Sequence, residues 1–271
     1  MRALRPSLAL PTALALLAAS CSAGAGSSDV VTPPGAARVG YLHHSTGGVV
    51  WGGGVADLLT AYNGAHGTSY TIEQRDYPLT ANGYPWDNYP YDYWNLWVAH
   101  TGSSRDRQEL NLDDLAALYD VIVFKHCFPV SDVAPDGTAS VSSAEKTLPN
   151  YKLQYAALKT RLHAFPQKKF LVWTGSARKQ GETSREHALR AQAFADWVKG
   201  TWDVAGDNIF VWDFRALETA GSTEGLYLND AYSAGDSHPD HDFAVTVAPY
   251  FVRRLTDVIE GRGDGGSLTG Q

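Results

Sequence analysis

The sequence predicts one α/β domain, a three-layer α/β/α sandwich built on a five-stranded parallel sheet. Three observations predict it. Five runs of strand length, at residues 39–42, 69–74, 120–125, 168–174 and 209–214, are apolar or rich in β-branched and aromatic residues. Stretches between them carry apolar residues at helical spacing, so strands and helices alternate, which favours a parallel sheet covered on both faces. No internal repeat and no second domain interrupts the pattern.

The elements follow in order. The apolar run 39–42 suits a buried first strand and leads into Tyr41-Leu42-His43-His44-Ser45-Thr46-Gly47-Gly48. After Gly52-Gly53-Gly54, residues Val55, Leu58, Leu59 and Tyr62 mark a helix. Residues 69–74 alternate and give the second strand. Residues 112–118 form a short helix before Asp-Val-Ile-Val-Phe-Lys at 120–125, the clearest buried strand. Tyr151, Tyr155, Leu158 and Leu162 mark a helix that ends near Pro166. Phe-Leu-Val-Trp lies in the fourth strand. Ser184 is a suitable N-cap for a helix over 184–198. The fifth strand, 209–214, precedes a closing helix over 243–259, with Phe243, Val247, Tyr250, Phe251, Leu255 and Val258 on one face. Residues 261–271 read as a disordered, Gly-rich tail. One segment breaks the alternation: residues 76–101 read as a long loop with Tyr77, Tyr84, Trp86, Tyr89, Tyr91, Tyr93, Trp94 and Trp97 among Pro, Asn and Asp. Long ordered loops in compact domains are usually functional.

The N-terminus reads as targeting rather than fold. Arg2 and Arg5 form a basic n-region, and residues 8–19 an apolar h-region of roughly a dozen residues, too short to span a bilayer comfortably. Residues 1–21 are therefore expected to be an export signal. Cys21 after Ala19-Ser20 resembles a bacterial lipobox, although Leu17 stands one position further upstream than the preferred leucine. Lipidation of Cys21 implies an envelope anchor and a membrane tether; ordinary cleavage, with Ala23-Gly24-Ala25 as another site, implies a secreted chain. Residues 22–37 form a flexible Gly/Ser/Ala/Pro linker, and the domain spans 38–260. After processing only Cys127 remains, which excludes an intramolecular disulfide and reads as a small buried hydrophobe.

Composition narrows the partners. The 271 residues are 44% hydrophobic and 19% charged, an ordinary globular balance. A net charge of -7 argues against nucleic-acid binding and against an anionic membrane surface as ligand. Neutral substrates such as sugars or esters stay open.

The chemistry gathers at one sheet edge. A serine after a first strand sits at the carboxyl edge, where open α/β folds place their sites. Serine needs a base to take its proton and donors for the oxyanion. The base candidate is His238 in Gly235-Asp236-Ser237-His238-Pro239, a loop at the same edge, with Asp236 to fix its tautomer. The order is Ser45, Asp236, His238.

This layout resembles the SGNH (GDSL-like) hydrolase superfamily, over residues from about 38 to 259. Its members carry a serine just after the first strand and a close Asp and His just before the last helix. The resemblance implies a flavodoxin-like sheet, Ser45 as nucleophile, His238 as general base then acid, Asp236 as its orienter, and no cofactor. The sequence departs from the family pattern in three places. Gly-Asp-Ser becomes His43-His44-Ser45; Asp-x-x-His becomes Asp236-Ser237-His238; Gly-x-Asn-Asp becomes Lys125-His126-Cys127-Phe128-Pro129. The oxyanion-hole Asn has no counterpart. Amides near Ser45 and Gly83, with Asn82 or Lys125, are the substitute donors, and His44 is a pocket candidate. Gly235-Asp236-Ser237 spells the family motif late in the chain and is taken as coincidence. No Gly-x-Ser-x-Gly is present.

Each feature has a plainer competitor. Ser45 alone is most often a turn or cap residue. His43, His44, Asp236, His238, Asp240 and His241 invite a metal, but no fixed ligand spacing appears, so no metal is expected. Trp86, Tyr93 and Trp94 either form a sugar-stacking platform or simply cover the sheet edge. Residues 125–132 are either a strand-to-loop turn or one wall of the pocket. The sequence thus predicts an exported serine esterase acting on an O-acyl, first an O-acetyl, ester of a carbohydrate. The alternatives are a non-catalytic carbohydrate-binding protein, an O-acyltransferase and a metal-dependent hydrolase.

Overall fold

Strand parity decides what each face of the sheet meets. In the computed structural model, which describes residues 35–271 apart from Trp86, the first strand β1 is Ala36–His43. Successive side chains of a strand point to opposite faces. Val39 and Tyr41 therefore join one core and Leu42 the other. Val121 and Val123 likewise oppose Ile122 and Phe124, and Leu171 and Trp173 oppose Phe170 and Val172. Burial on both faces makes the strands near-continuous apolar runs, as expected of a parallel sheet.

The elements run in chain order: β1, α1 (Thr46–Gly52), α2 (Val55–His66), β2 (Ser69–Asp76), α3 (Pro90–Trp94), α4 (Leu112–Leu118), β3 (Val121–Phe124), α5 (Leu148–His163), β4 (Lys169–Trp173), α6 (Arg185–Trp197), β5 (Ile209–Trp212), α7 (Phe214–Thr219) and α8 (His241–Ile259). All strand pairs are parallel, in the order β2-β1-β3-β4-β5. One face is covered by α3 to α6, through Tyr93, Leu115, Tyr155, Leu158 and Phe194. The other is covered by α1, α2, α7 and α8, through Val50, Leu59, Leu217, Val247 and Phe251. The expected three-layer α/β/α sandwich on a five-stranded parallel sheet is the observed fold. The strand order reverses direction between β1 and β3, and that switch point is where such sheets bind ligands.

Two stretches differ from expectation. Residues 76–101 are not one long loop: a turn at Thr80–Asn82, helix α3 and a wider turn at Asn95–Ala99 organise them. Pro90 opens α3, and Asp92 accepts from the Tyr89 and Asp87 amides. Tyr77, Tyr84, Tyr89, Tyr93 and Trp97 then pack into the α3–α6 core. Frequent Pro, Asn and Asp hid these short helices from a periodicity reading.

The tail at 261–271, expected to be disordered, lies against β5. The Asp213 amide donates to Leu268 O at 2.8 Å, and Trp212 Nε1 donates to Thr269 O at 2.9 Å. Gly263 has no room for a side chain, because a Cβ there would meet the Phe210 ring at 2.5 Å. The export signal, Cys21 and nearly all of the linker lie outside the described residues. Among the described residues no helix is long and apolar enough to cross a membrane.

Candidate active site

The site is built on the turn between β1 and α1. Ser45 has φ 54° and ψ -118°, a conformation that L-residues rarely adopt. Such strain persists only where the surroundings over-determine it, and it clusters at functional sites. Here the determinants are visible. Gly47 approaches β1 so closely that a Cβ would lie 2.5 Å from His43 Cβ and 2.8 Å from the Tyr41 hydroxyl. The Tyr41 hydroxyl donates to Gly47 O at 3.0 Å, and the Gly47 amide donates to His44 O at 3.0 Å. Further along, Gly53 abuts the Ala244 carbonyl of α8. A strand, a sharp turn and a helix thus project Ser45 outward, and its residue is exposed.

The partner arrives from the far end of the chain. Ser45 Oγ lies 2.5 Å from His238 Nε2. His238 Nδ1 is 3.1 Å from each Asp236 carboxylate oxygen. The Asp-x-His spacing adds a contact: the His238 amide donates to Asp236 Oδ1 at 2.8 Å. That amide bond, then the imidazole contact, holds the Asp236 carboxyl below its ordinary pKa. The three residues expected to act together are therefore together, in a chain of contacts suited to general-base activation of a serine.

The loop carrying His238 is tied down by side-chain contacts. Ser237 is buried, accepts from the Lys179 amide at 3.0 Å and donates to Glu182 Oε2. Ser233 donates to Asp236 O at 2.6 Å, and the Ala234 amide donates to His238 O at 2.9 Å. The Ser of the late Gly-Asp-Ser is thus a buried anchor. Phe128 meets the His238 ring edge-on at 5.1 Å, and the Arg178 guanidinium lies 5.3 Å from the Phe128 ring centroid. Of residues 125–132, Phe128 stands beside the histidine. No local sequence pattern marks Glu182, because it acts through a contact distant in sequence.

Several expected pocket residues are elsewhere engaged. The Gly83 amide donates to Thr80 O at 3.0 Å, closing its own turn. Asn82 Nδ2 donates to Glu109 Oε1 at 3.0 Å. Neither is set up as an oxyanion donor. Tyr93 is 0% exposed and its hydroxyl donates to Lys125 O, so it cannot be a sugar platform. Trp94 is partly exposed beside Tyr91, at 5.7 Å between ring centroids, and Trp86 lies outside the described residues. His44 donates from Nε2 to Pro78 O at 2.8 Å, while His43 is buried against Gln74. Burial lowers the His43 pKa to about 4, leaving it neutral. Lys125 is buried behind the turn, its Nζ donating to His44 O at 3.0 Å. At the turn itself the Ser45 and Thr46 amides have no acceptor among the described residues.

Among the described residues no three His, Cys, Asp or Glu side chains converge as a metal site would require. A groove of about 350 Å³ runs along α7 and α8, past Leu217, Tyr232, Asp240 and Phe243. It includes no member of the Ser-His-Asp chain.

Comparison with known protein families finds no match, and comparison with curated proteins finds none. Comparison with solved structures finds similarity to a gut microbial diltiazem-metabolizing enzyme, at 10% identity and a TM-score of 0.48. That match covers 84% of this chain and 47% of the other, so the chain spans about half that enzyme's length.

Proposed function

We propose that the chain is an exported serine esterase of SGNH type, acting on an O-acyl ester, first an O-acetyl ester, of a carbohydrate. The observation that carries this reading is the 2.5 Å contact between Ser45 Oγ and His238 Nε2, with Asp236 on the other imidazole nitrogen. In the proposed reaction Ser45 Oγ attacks the ester carbon while its proton passes to His238 Nε2. The tetrahedral oxyanion is stabilised by the Ser45 and Thr46 amides. Collapse breaks the C–O bond, and the leaving alkoxide takes the proton from His238. Water then attacks the acyl-serine carbonyl, giving its proton to His238, which returns it to Ser45 as the acid is released. Asp236, held ionised by its contacts, supports the imidazolium at each stage.

The exposure of Ser45 fits an ester carried on a large molecule, since such a group can reach the edge without entering a deep cavity. Export and lipidation of Cys21 belong to the same proposal and rest on residues 1–34 alone. Palmitate labelling that disappears in Cys21→Ser tests them. The esterase reading is tested with p-nitrophenyl acetate and acetylated oligosaccharides. Turnover by wild type and its loss in Ser45→Ala are expected. Binding of the sugars without turnover or probe labelling would instead favour a non-catalytic lectin-like role. Acyl transfer to a sugar in preference to water would favour an acyltransferase.

A further inference from the structure

Lys125 has no structural account as an isolated side chain. It follows directly on β3, is 1% exposed, and continues the alternate row of Val121 and Val123. Its Nζ makes one good hydrogen bond, to His44 O at 3.0 Å, and a weak contact to Cys127 Sγ at 3.8 Å. A buried cation so sparsely bonded is costly, and an apolar side chain of similar length would fit the core better. Groups kept at such a cost cluster where their charge has a task.

The identity of the acceptor supplies the task. The His44 carbonyl and the Ser45 amide belong to one peptide unit. An ammonium on the oxygen polarises that unit and makes its N–H a stronger donor, because hydrogen bonds in series reinforce one another. The Ser45 N–H is one of the two unengaged amides at the turn. The same contact also fixes the plane of the peptide that carries Ser45 into its strained conformation.

We propose that Lys125 is a positioning residue for the oxyanion hole, acting through the His44–Ser45 peptide in place of a side-chain donor. This inference rests on the esterase reading. Lys125 holds the peptide plane and polarises the Ser45 N–H while remaining out of contact with substrate. Burial makes its proton easier to lose than that of an ordinary lysine. The titratable groups facing it are His43, His44, His126, Cys127 and Glu218. Burial keeps the His43 and His126 imidazoles neutral, at about 4 and about 3. The Glu218 carboxyl, also buried, is pushed up to about 8, and its ionisation helps hold the proton on Lys125.

The test uses Lys125→Met and Lys125→Gln, each checked for folding by thermal melting. With p-nitrophenyl acetate, kcat is expected to fall about 10–100-fold in Lys125→Met, somewhat less than the loss of a direct oxyanion donor, with KM within about threefold. Inhibition by a phenyl trifluoromethyl ketone, which forms an oxyanion on Ser45, should weaken by the same factor. Lys125→Gln, which keeps a donor but no charge, should fall between wild type and Lys125→Met. A folded Lys125→Met with unchanged kcat and inhibition overturns the inference and leaves the esterase reading intact. An inert wild type removes both. If neither variant folds, the wild-type rate of Ser45 labelling by a fluorophosphonate decides: it should decline at alkaline pH below the ordinary lysine range. A rate that stays level through that range overturns the inference.

Discussion

Ser45 and His238 meet at 2.5 Å but reach that contact on segments held in different ways. The serine turn is wedged into the core. Tyr41, His43 and Gly47 leave no free space, Lys125 sits behind the turn, and α1 crosses α8 through Gly53. The histidine loop stands on the surface, with Asp236 63% exposed, and is held by hydrogen bonds from Ser233, Ser237 and Ala234. Packing holds one half of the site and polar contacts hold the other. Damage to the turn should therefore cost both stability and activity, whereas damage to the loop should cost activity with little loss of fold.

The largest break in that contrast is Gly47→Ala. Its Cβ would overlap His43 and the Tyr41 hydroxyl, so the turn must shift. Overpacking of this kind costs about 1–3 kcal/mol. Activity should fall at least about 100-fold, since misplacing a reacting group by an ångström costs that much. A melting curve and kcat unchanged from wild type would show that the turn is not wedged as described. Next is Asp236→Asn, which leaves the loop folded but presents the wrong partner to His238 Nδ1. For a buried triad carboxylate such a change costs about 10⁴ in kcat. Asp236 is exposed to water, so a loss nearer 10²-fold is expected, with a melting temperature close to wild type.

The third test concerns strain. Glycine adopts positive φ freely, and relief of a strained residue is worth about 1–3 kcal/mol before glycine's own entropic cost. Ser45→Gly should therefore melt higher than Ser45→Ala, by about 1 kcal/mol, with both inactive. Equal melting points would mean that the turn carries no strain. The smallest effect is on protonation. The folded-state pKa of Asp236 is depressed, so its contribution to the loop is present above the ordinary carboxylate value and is lost as pH falls through the lower folded value. The Asp236 carboxyl carbon, followed by NMR, should titrate below 3.8, the value of a free aspartate side chain. A midpoint at or above that value would contradict the contact with His238.

The sheet was legible because its strands are apolar on both faces, and a run such as Asp-Val-Ile-Val-Phe-Lys needs no partner to be recognised. Helix α6 was legible through Ser184, whose side chain accepts from the His187 amide as a cap should. The proximity of Ser45, Asp236 and His238 was legible because the topology brings the end of β1 and the loop before α8 to one edge, and because Asp236 and His238 are two residues apart. What escaped was set by tertiary contact. The aromatic segment looked like a surface because its helices are a turn or so long, yet Tyr93 and Trp97 are core. Asn82 looked free because nothing local shows that Glu109 occupies it, and the Gly83 amide is taken by its own turn, to Thr80 O. The tail looked loose because its order comes from β5, not from its own composition.

The most direct measurement is active-site labelling by a fluorophosphonate, read by intact mass and peptide mapping. Wild type should gain one adduct, on Ser45, and Ser45→Ala none. His238→Ala should melt like wild type and label at least about 100-fold more slowly, the lower range of a general base's contribution. Equal labelling of wild type and Ser45→Ala, or none in a protein that turns over esters, would contradict the assignment of Ser45 as nucleophile.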